Sequence, residues 1–415
     1  MSVRNYTGFV KRCQICNNPE LTEILSLGHQ PIVQHYLTKQ ELFSPESAYP
    51  LTLVQCGRCG LVQLNYIIEP SKVFPADYPY RTGMTNMLIK NFQELAETTA
   101  RLGFLKKGDL IVDIGSNDGT LLQAFKEKGM RVLGVEPTNA AKVANARGIK
   151  TLQQFFSANS VKTILKKYGP ARIITATNVF AHINDAASLV KNIKALMDDE
   201  SVFISESQYL MDIIEKLEFD TIYHEHLRIY SLKPIRHLFE MYNLSLVDAE
   251  RISAAGGSIR VYARKGKYPM STRVKKLMAA EKKAGLHDEK TLMLFAQKTY
   301  RAKNDLLALL LKCKKSGGRI VGLTSSARSN TLLGFSHIDN TLLDYLCEKK
   351  GSPKIGLYTP GTHIPVVDEA VLFKEQPEYA LVLSWHIGEE LIKIMRSRGY
   401  KGKFILPLPV AKVVS

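Results

Sequence analysis

The chain of 415 residues has no stretch approaching the roughly 18 uninterrupted apolar residues that a membrane-spanning helix needs. Its first residues, MSVRNYTGFVKRC, contain no apolar core of a secretory signal. Neither an internal repeat nor a low-complexity tract is present, which excludes solenoids and propellers. Cysteine is scarce, six in all, and four of the six fall in two C-x-x-C pairs. That usage suits a metal site in a reducing, cytoplasmic compartment better than a disulfide framework. Basic charge, in contrast, is plentiful, with a formal net charge of +17. The basic residues sit in short clusters, KKYGPAR, RVKKLMAAEKK and KCKKSGGR, without a basic tail or interleaved aromatics. Such clusters read as solvated helix faces, so a nucleic-acid partner is not expected, while a small anionic ligand would need only a few of them.

With 45% hydrophobic residues the chain can bury more than one core. A cysteine-bearing segment gives way near IIEPSKVFPADYPY to the helix-like TNMLIKNFQELAETTARLGF. Strand-like runs LIVDIGS, VLGVEP, ARIITATNVF and SVFISES then alternate with amphipathic stretches, the pattern of a doubly wound α/β sheet. GGSIRVYARKG reads as that sheet's last strand. After a charged helical stretch over 275–315, RIVGLTSS, IGLYT, YALVLSW and KFILPLP predict a smaller second α/β unit. The expected domains are therefore 1–75, 76–275 and 276–415.

The pairs Cys13/Cys16 and Cys56/Cys59 each present two thiolates from one tight turn. Two such knuckles complete a tetrahedral S4 shell, which leaves no open position and marks a structural Zn2+. His29 and His35 are not needed as ligands, and Cys313 and Cys347, in apolar surroundings, read as buried small residues.

A second motif is LIVDIGSNDGTLLQAF, a strand, a glycine-bearing loop and a helix. Gly115 and Gly119 let backbone approach a ligand at a helix N-terminus. Asp113, Asn117 and Asp118 lie in the same loop, and Glu136 ends the next strand, where a carboxylate can hold ribose hydroxyls. The loop is not the G-x-G-x-x-G of dinucleotide binding, so S-adenosylmethionine is the better fit.

On CQIC and CGRC, DYPYRTG, VDIGSNDGTLL, ATNVFAHINDA, YHEHLRIYS, AAGGSIRVY, SSARSNTLL and GLYTPGTHIPV, taken in order, the chain resembles the S-adenosylmethionine-dependent sugar C-methyltransferases acting on nucleotide-linked keto-deoxysugars. The resemblance implies a zinc-binding N-terminal domain, a class I (Rossmann-like) methyltransferase core and a C-terminal Rossmann-like α/β domain that helps enclose the sugar nucleotide. It implies C-methylation, at C3 of a 4-keto sugar, through an enolate. His226 resembles the family's base, Glu225 its orienting partner and Tyr223 a donor to substrate. It also implies His182 at the carbonyl oxygen, a catalytic tyrosine at Tyr78 or Tyr80, and Asn178 beside the cofactor.

Residues 223–231 follow a hydrophobic run that reads as a strand, and His224 reads as a bystander there. Substrate contacts are expected from Arg260, which reads equally as an exposed strand charge, and from Arg328, Asn330 and His363. Arg328 offers a fork to phosphate where the family pattern has a lysine. The competing readings are a zinc-containing nucleic-acid methyltransferase and a non-catalytic scaffold. The sequence leaves the oligomeric state open.

Overall fold

The computed structural model describes residues 7–75, 81–84 and 86–415. Tyr78 and Tyr80 lie outside the described residues.

The first unit is an antiparallel sheet in the order Arg228–Ile229, Val62–Leu64, Tyr49–Cys56, Leu21–Gln30. Its edge strand comes from far along the chain, with Arg228 opposite Gln63 and Ile229 opposite Val62. The apolar strand Tyr49–Cys56 is buried over its last six residues because it has neighbours on both sides. Cys56 ends the strand Tyr49–Cys56, and Cys13, Cys56 and Cys59 are buried in the same apolar cluster as the sheet, so the sheet's core and the cysteine knuckle are one packing unit.

The central sheet has seven strands, in the order Leu244–Ile252, Ser258–Lys265, Val202–Gln208, Ile173–Thr177, Leu110–Ile114, Arg131–Val135, Thr151–Leu152. Strand Ser258–Lys265 runs antiparallel to both of its neighbours. The unbroken burial of LIVDI reflects a parallel strand covered on both faces. Helix Asn86–Arg101 covers one of those faces with Phe92, Leu95 and Ala96, which lie at i, i+3 and i+4 on one stripe. From Leu110–Ile114 the chain passes first to one side of the sheet, then to the other at Ile173–Thr177. The crevice beyond the carboxyl ends of those two strands is where a doubly wound sheet receives its ligand.

The third sheet has the order Val366–Asp368, Leu346–Glu348, Ile320–Leu323, Tyr379–Val382, Lys403–Leu406, Lys412–Val414, parallel except for the last pair. Two expectations fail in detail. IGLYT forms no strand; its slot is filled by Leu346–Glu348, whose shorter LCE run is buried between two neighbours while Tyr358 makes only isolated bridges. The run before Tyr223 is also not a strand. It is helix Leu210–Lys216 followed by a 3-10 turn Phe219–Thr221, because apolar residues there are spaced to face inward from a helix.

Candidate active site and zinc centre

The four cysteine sulfurs of Cys13, Cys16, Cys56 and Cys59 all lie within 4.8 Å of one another. Two edges of the cluster, Cys13–Cys59 and Cys16–Cys56, measure 3.5 Å. A zinc–sulfur bond of about 2.3 Å gives tetrahedral edges of about 3.8 Å, so the set fits a closed Zn2+ site. The hydrogen bond between Cys13 and Cys59 pulls Cys13 down and pushes Cys59 up, so the pair shares one proton in the absence of metal.

Between the first two cysteines stands Gln14, whose side-chain oxygen accepts from Arg228 Nη1 at 2.7 Å. Arg228 is 1% exposed and was not singled out from the sequence. Its guanidinium also donates to Tyr230 Oη at 3.0 Å and to the carbonyls of Phe180, Ile183 and Asn184. Those carbonyls belong to the loop carrying His182, so Arg228 ties the zinc knuckle to that loop. An arginine inside YHEHLRIYS was the only sequence signal, and nothing in the sequence reveals which carbonyls it would meet.

The cofactor loop lies at the carboxyl end of Leu110–Ile114. Gly115, Asn117 and Gly119 all adopt positive φ, and a Cβ on Gly115 would stand 2.5 Å from Val179 Cγ2. Glu136 accepts from the Asn117 amide at 3.0 Å and from the Thr138 amide and hydroxyl at 2.9 and 2.7 Å. A carboxylate has about four acceptor positions, so Glu136 retains capacity for a ribose hydroxyl. Asp118 accepts from Thr120 Oγ1 at 2.6 Å and from the Gly83 amide at 2.9 Å, while Asn117 Oδ1 accepts from the Thr82 amide. Residues 81–83 therefore lie against the loop. Ser116 Oγ and Asn178 Oδ1 are buried without a hydrogen-bond partner among the described residues, as expected where a polar ligand belongs. The Asp113 carboxyl instead accepts from Thr175 Oγ1 at 2.6 Å, which joins the two strands at the crevice. Burial, reinforced by the charges of Glu136 and Glu206, pushes Asp113 up to about 7.

Beside this loop, four rings form a column. Phe74 stacks on His182 at 5.7 Å, His182 on His226 at 5.0 Å, and Tyr223 lies 4.0 Å from His226 between ring centroids. His226 Nδ1 is 2.6 Å from the carbonyl of Thr221. A carbonyl only accepts, so Nδ1 carries the hydrogen and Nε2 presents a lone pair. Burial first, and Arg328 second, hold His226 down to about 4, against the pull of the Thr221 carbonyl. His182 is held well below the usual histidine range by burial and by His226 and Arg228, and its Nε2 is buried without a partner among the described residues. Glu225 is buried next to His226 in the chain, but the ring's Nδ1 contact is the Thr221 carbonyl and not a carboxylate. His224 faces away, with Nε2 at 3.2 Å from the Pro50 carbonyl.

The expected substrate contacts are placed differently. Arg260 is neither exposed nor turned to a phosphate. It is fully buried, bonded to Glu206 at 2.5 Å and to Asn91 at 3.0 Å, because the central strand Val202–Gln208 brings Glu206 opposite it. Arg328 gives its fork to Asp220 at 3.0 and 2.8 Å, and Trp385 Nε1 donates to the same carboxylate at 2.9 Å. The fork therefore holds the 3-10 turn that supplies the Thr221 carbonyl. Asn330 donates to the Val33 carbonyl at 2.7 Å, and half-exposed His363 pairs with Glu46 at 3.2 Å.

A seven-stranded sheet of this order, with its glycine loop at the crevice and a four-cysteine unit attached, defines a class I methyltransferase bearing a zinc-binding domain. Family models agree along the chain: a zinc binding domain over 13–74, a methyltransferase domain over 87–249 and a C-methyltransferase C-terminal domain over 253–409. C-methyltransferase NovU of Streptomyces niveus is 30% identical over 412 residues, covering 98% of this chain and 97% of that protein. The chain belongs to this C-methyltransferase family and is an S-adenosylmethionine-dependent C-methyltransferase. Among solved structures, magnesium protoporphyrin IX methyltransferase from Synechocystis with bound S-adenosylmethionine is 14% identical, covering 49% of this chain and all of that one at a TM-score of 0.36. A methyltransferase from Clostridium acetobutylicum is 11% identical, covering 43% and 92% at 0.35.

Proposed function

We propose that the enzyme methylates a carbon next to the ketone of a nucleotide-linked keto-deoxysugar, C3 of a 4-keto sugar, with His226 as the base. The observation that carries this reading is the Thr221 carbonyl on Nδ1, which leaves Nε2 as a buried, unprotonated acceptor at the carboxyl end of the sheet. Methylating carbon beside a ketone requires loss of a C–H proton and a holder for the enolate oxygen. Nε2 takes the proton. His182, stacked on the base, holds the oxygen, and Tyr223 donates to the sugar. Glu225 tunes the site's charge, and Tyr78 or Tyr80 is a further proposed catalytic group on the resemblance alone. The low proton affinity of His226 suits this order of events, because the enolate supplies the negative charge that stabilises the imidazolium beside it.

When bound, S-adenosylmethionine supplies an electrophilic methyl group on sulfur. The chain's part is to seat it on Gly115–Gly119 and Glu136 and to keep water from the enolate. The sugar-nucleotide class rests on the order of motifs along the chain. The zinc knuckle supports a structural role, since it faces Arg228 and the loop of His182 and so braces the core.

Incubation with thymidine diphosphate 4-keto-6-deoxyglucose and S-adenosylmethionine, followed by carbon NMR of the product, tests the reading. A new methyl on C3 with loss of its hydrogen is expected. A methyl on C5, the other carbon flanking the ketone, would keep the enolate route and overturn the position. A methyl on oxygen would overturn the route.

A further inference from the structure

Gln208 closes the strand Val202–Gln208, opposite Ser258, at the same end of the sheet as the cofactor loop. Its amide nitrogen lies 3.2 Å from His226 Nε2. The Thr221 carbonyl fixes the hydrogen on Nδ1, so Nε2 can only accept and Gln208 must present an N–H to it. The atom that has to receive the substrate's proton is therefore capped by an amide donor. His226 is 4% exposed, whereas Gln208 is only partly buried.

We infer that Gln208 is a catalytic residue whose amide N–H passes from His226 Nε2 to the ketone oxygen of the substrate as the enolate forms. This rests on the reading of His226 as base. The step balances within the site. The α C–H bond breaks and its proton forms a new N–H bond on Nε2. The C–H electron pair becomes the carbon–carbon double bond, and the carbonyl π pair moves to oxygen. Once Nε2 holds a proton it faces the Gln208 amide donor to donor, which is repulsive, at the moment the neighbouring oxygen becomes negative. The amide is thus expelled from the base and captured by the enolate. The buried Nε2 of His182, stacked on the same imidazole, completes a two-group cradle for that oxygen. Because Gln208 caps the neutral form of the base, it also disfavours early protonation, in concert with burial and with the charge of Arg328. Those two influences, and the facing His182 and Tyr223, are unchanged by substitution at position 208.

The test uses the full-length zinc protein and the variants Gln208→Ala, Gln208→Glu and His226→Ala. Histidine-selective NMR titration of the ligand-free protein, with the His226 signal identified by its loss in His226→Ala, reads the base directly. In Gln208→Ala the titration is expected to move upward by about one pH unit, and further upward in Gln208→Glu, whose carboxylate favours the imidazolium. With thymidine diphosphate 4-keto-6-deoxyglucose and S-adenosylmethionine, Gln208→Ala is expected to lose about 10²- to 10³-fold in kcat with KM within about threefold. Cofactor affinity by calorimetry serves as the folding control, and a misfolded alanine variant leaves Gln208→Glu to decide. An unmoved titration together with kcat within about threefold of wild type would overturn the role of Gln208, while an inactive His226→Ala would leave the base in place. Full activity of His226→Ala would instead overturn the base.

Discussion

The Thr221 carbonyl decides what His226 is, by fixing its hydrogen on Nδ1. The sequence shows the histidine and the acid beside it but not this contact, since every residue carries a carbonyl and only the turn Phe219–Thr221 aims this one. The partners of Arg260 and Arg328 were hidden from the sequence for a related reason. A charge reads as exposed until its partner's strand or turn is known, and here Glu206 and Asp220 take both guanidinium groups. With His226 held at about 4, its imidazole is unprotonated throughout the neutral range, as the proposed base must be. The kcat/KM of α-proton exchange should therefore stay flat as pH falls through 6.5 and decline only near 4. An acid limb at 6.5, measured with a pH-stable substrate, would contradict this. His224, also held at about 4 by burial, makes a matching claim about stability. Its folded pKa lies below the unfolded value, so protons favour the unfolded chain, and stability present above about pH 6.5 is lost as pH falls toward 4. His224→Asn should reduce the slope of unfolding free energy over that window by about 1.4 kcal/mol per pH unit, read by urea denaturation.

At the scale of elements, the segment from Glu218 to Ile229 is held from three sides. The C-terminal helix Ala327–Ser336 grips the turn Phe219–Thr221 through Arg328 on Asp220 and Phe335 against Phe219, whose rings sit 5.4 Å apart edge to face. The central sheet offers Gln208, and the zinc unit pairs its strand Val62–Leu64 with Arg228–Ile229. Periodicity and spacing made the central strands and the cysteine pairs legible, because each signal is local. The pairing of Arg228 with Gln63 joins residues far apart in the chain and leaves no pattern in either stretch. Arg228→Lys tests this bracing. A lysine reaches at most part of the carbonyl set and leaves buried acceptors unpaired, so a loss of about 2–4 kcal/mol in unfolding free energy is expected. The altered His182 loop should also lower kcat. A stable variant with unchanged kcat would mean that the arginine fills space only.

On the scale of the whole molecule, the zinc knuckle, the seven-stranded sheet and the C-terminal sheet converge on one short segment, which accounts for the motifs being scattered along the whole sequence. Their order was readable, whereas their convergence depends on long-range packing. Removing zinc should therefore abolish activity as well as order in the first unit. Stripping the four thiolates with a strong chelator is expected to release one zinc per chain, measured colorimetrically, and to lower the melting temperature. The charge of +17 is spread on helix faces such as Thr272–Lys283, so binding to random oligonucleotides at physiological salt should be micromolar or weaker and fall with added salt. The central claim is that a ketone's neighbouring C–H proton leaves to His226. The most direct measurement is deuterium incorporation from D2O into a 4-keto-6-deoxyhexose nucleotide, followed by NMR with S-adenosylhomocysteine bound so that methyl transfer cannot intervene. Incorporation at C3 by the wild type, lost at least 100-fold in His226→Ala with cofactor affinity unchanged, is the predicted result; incorporation within about tenfold of wild type in that variant would contradict it.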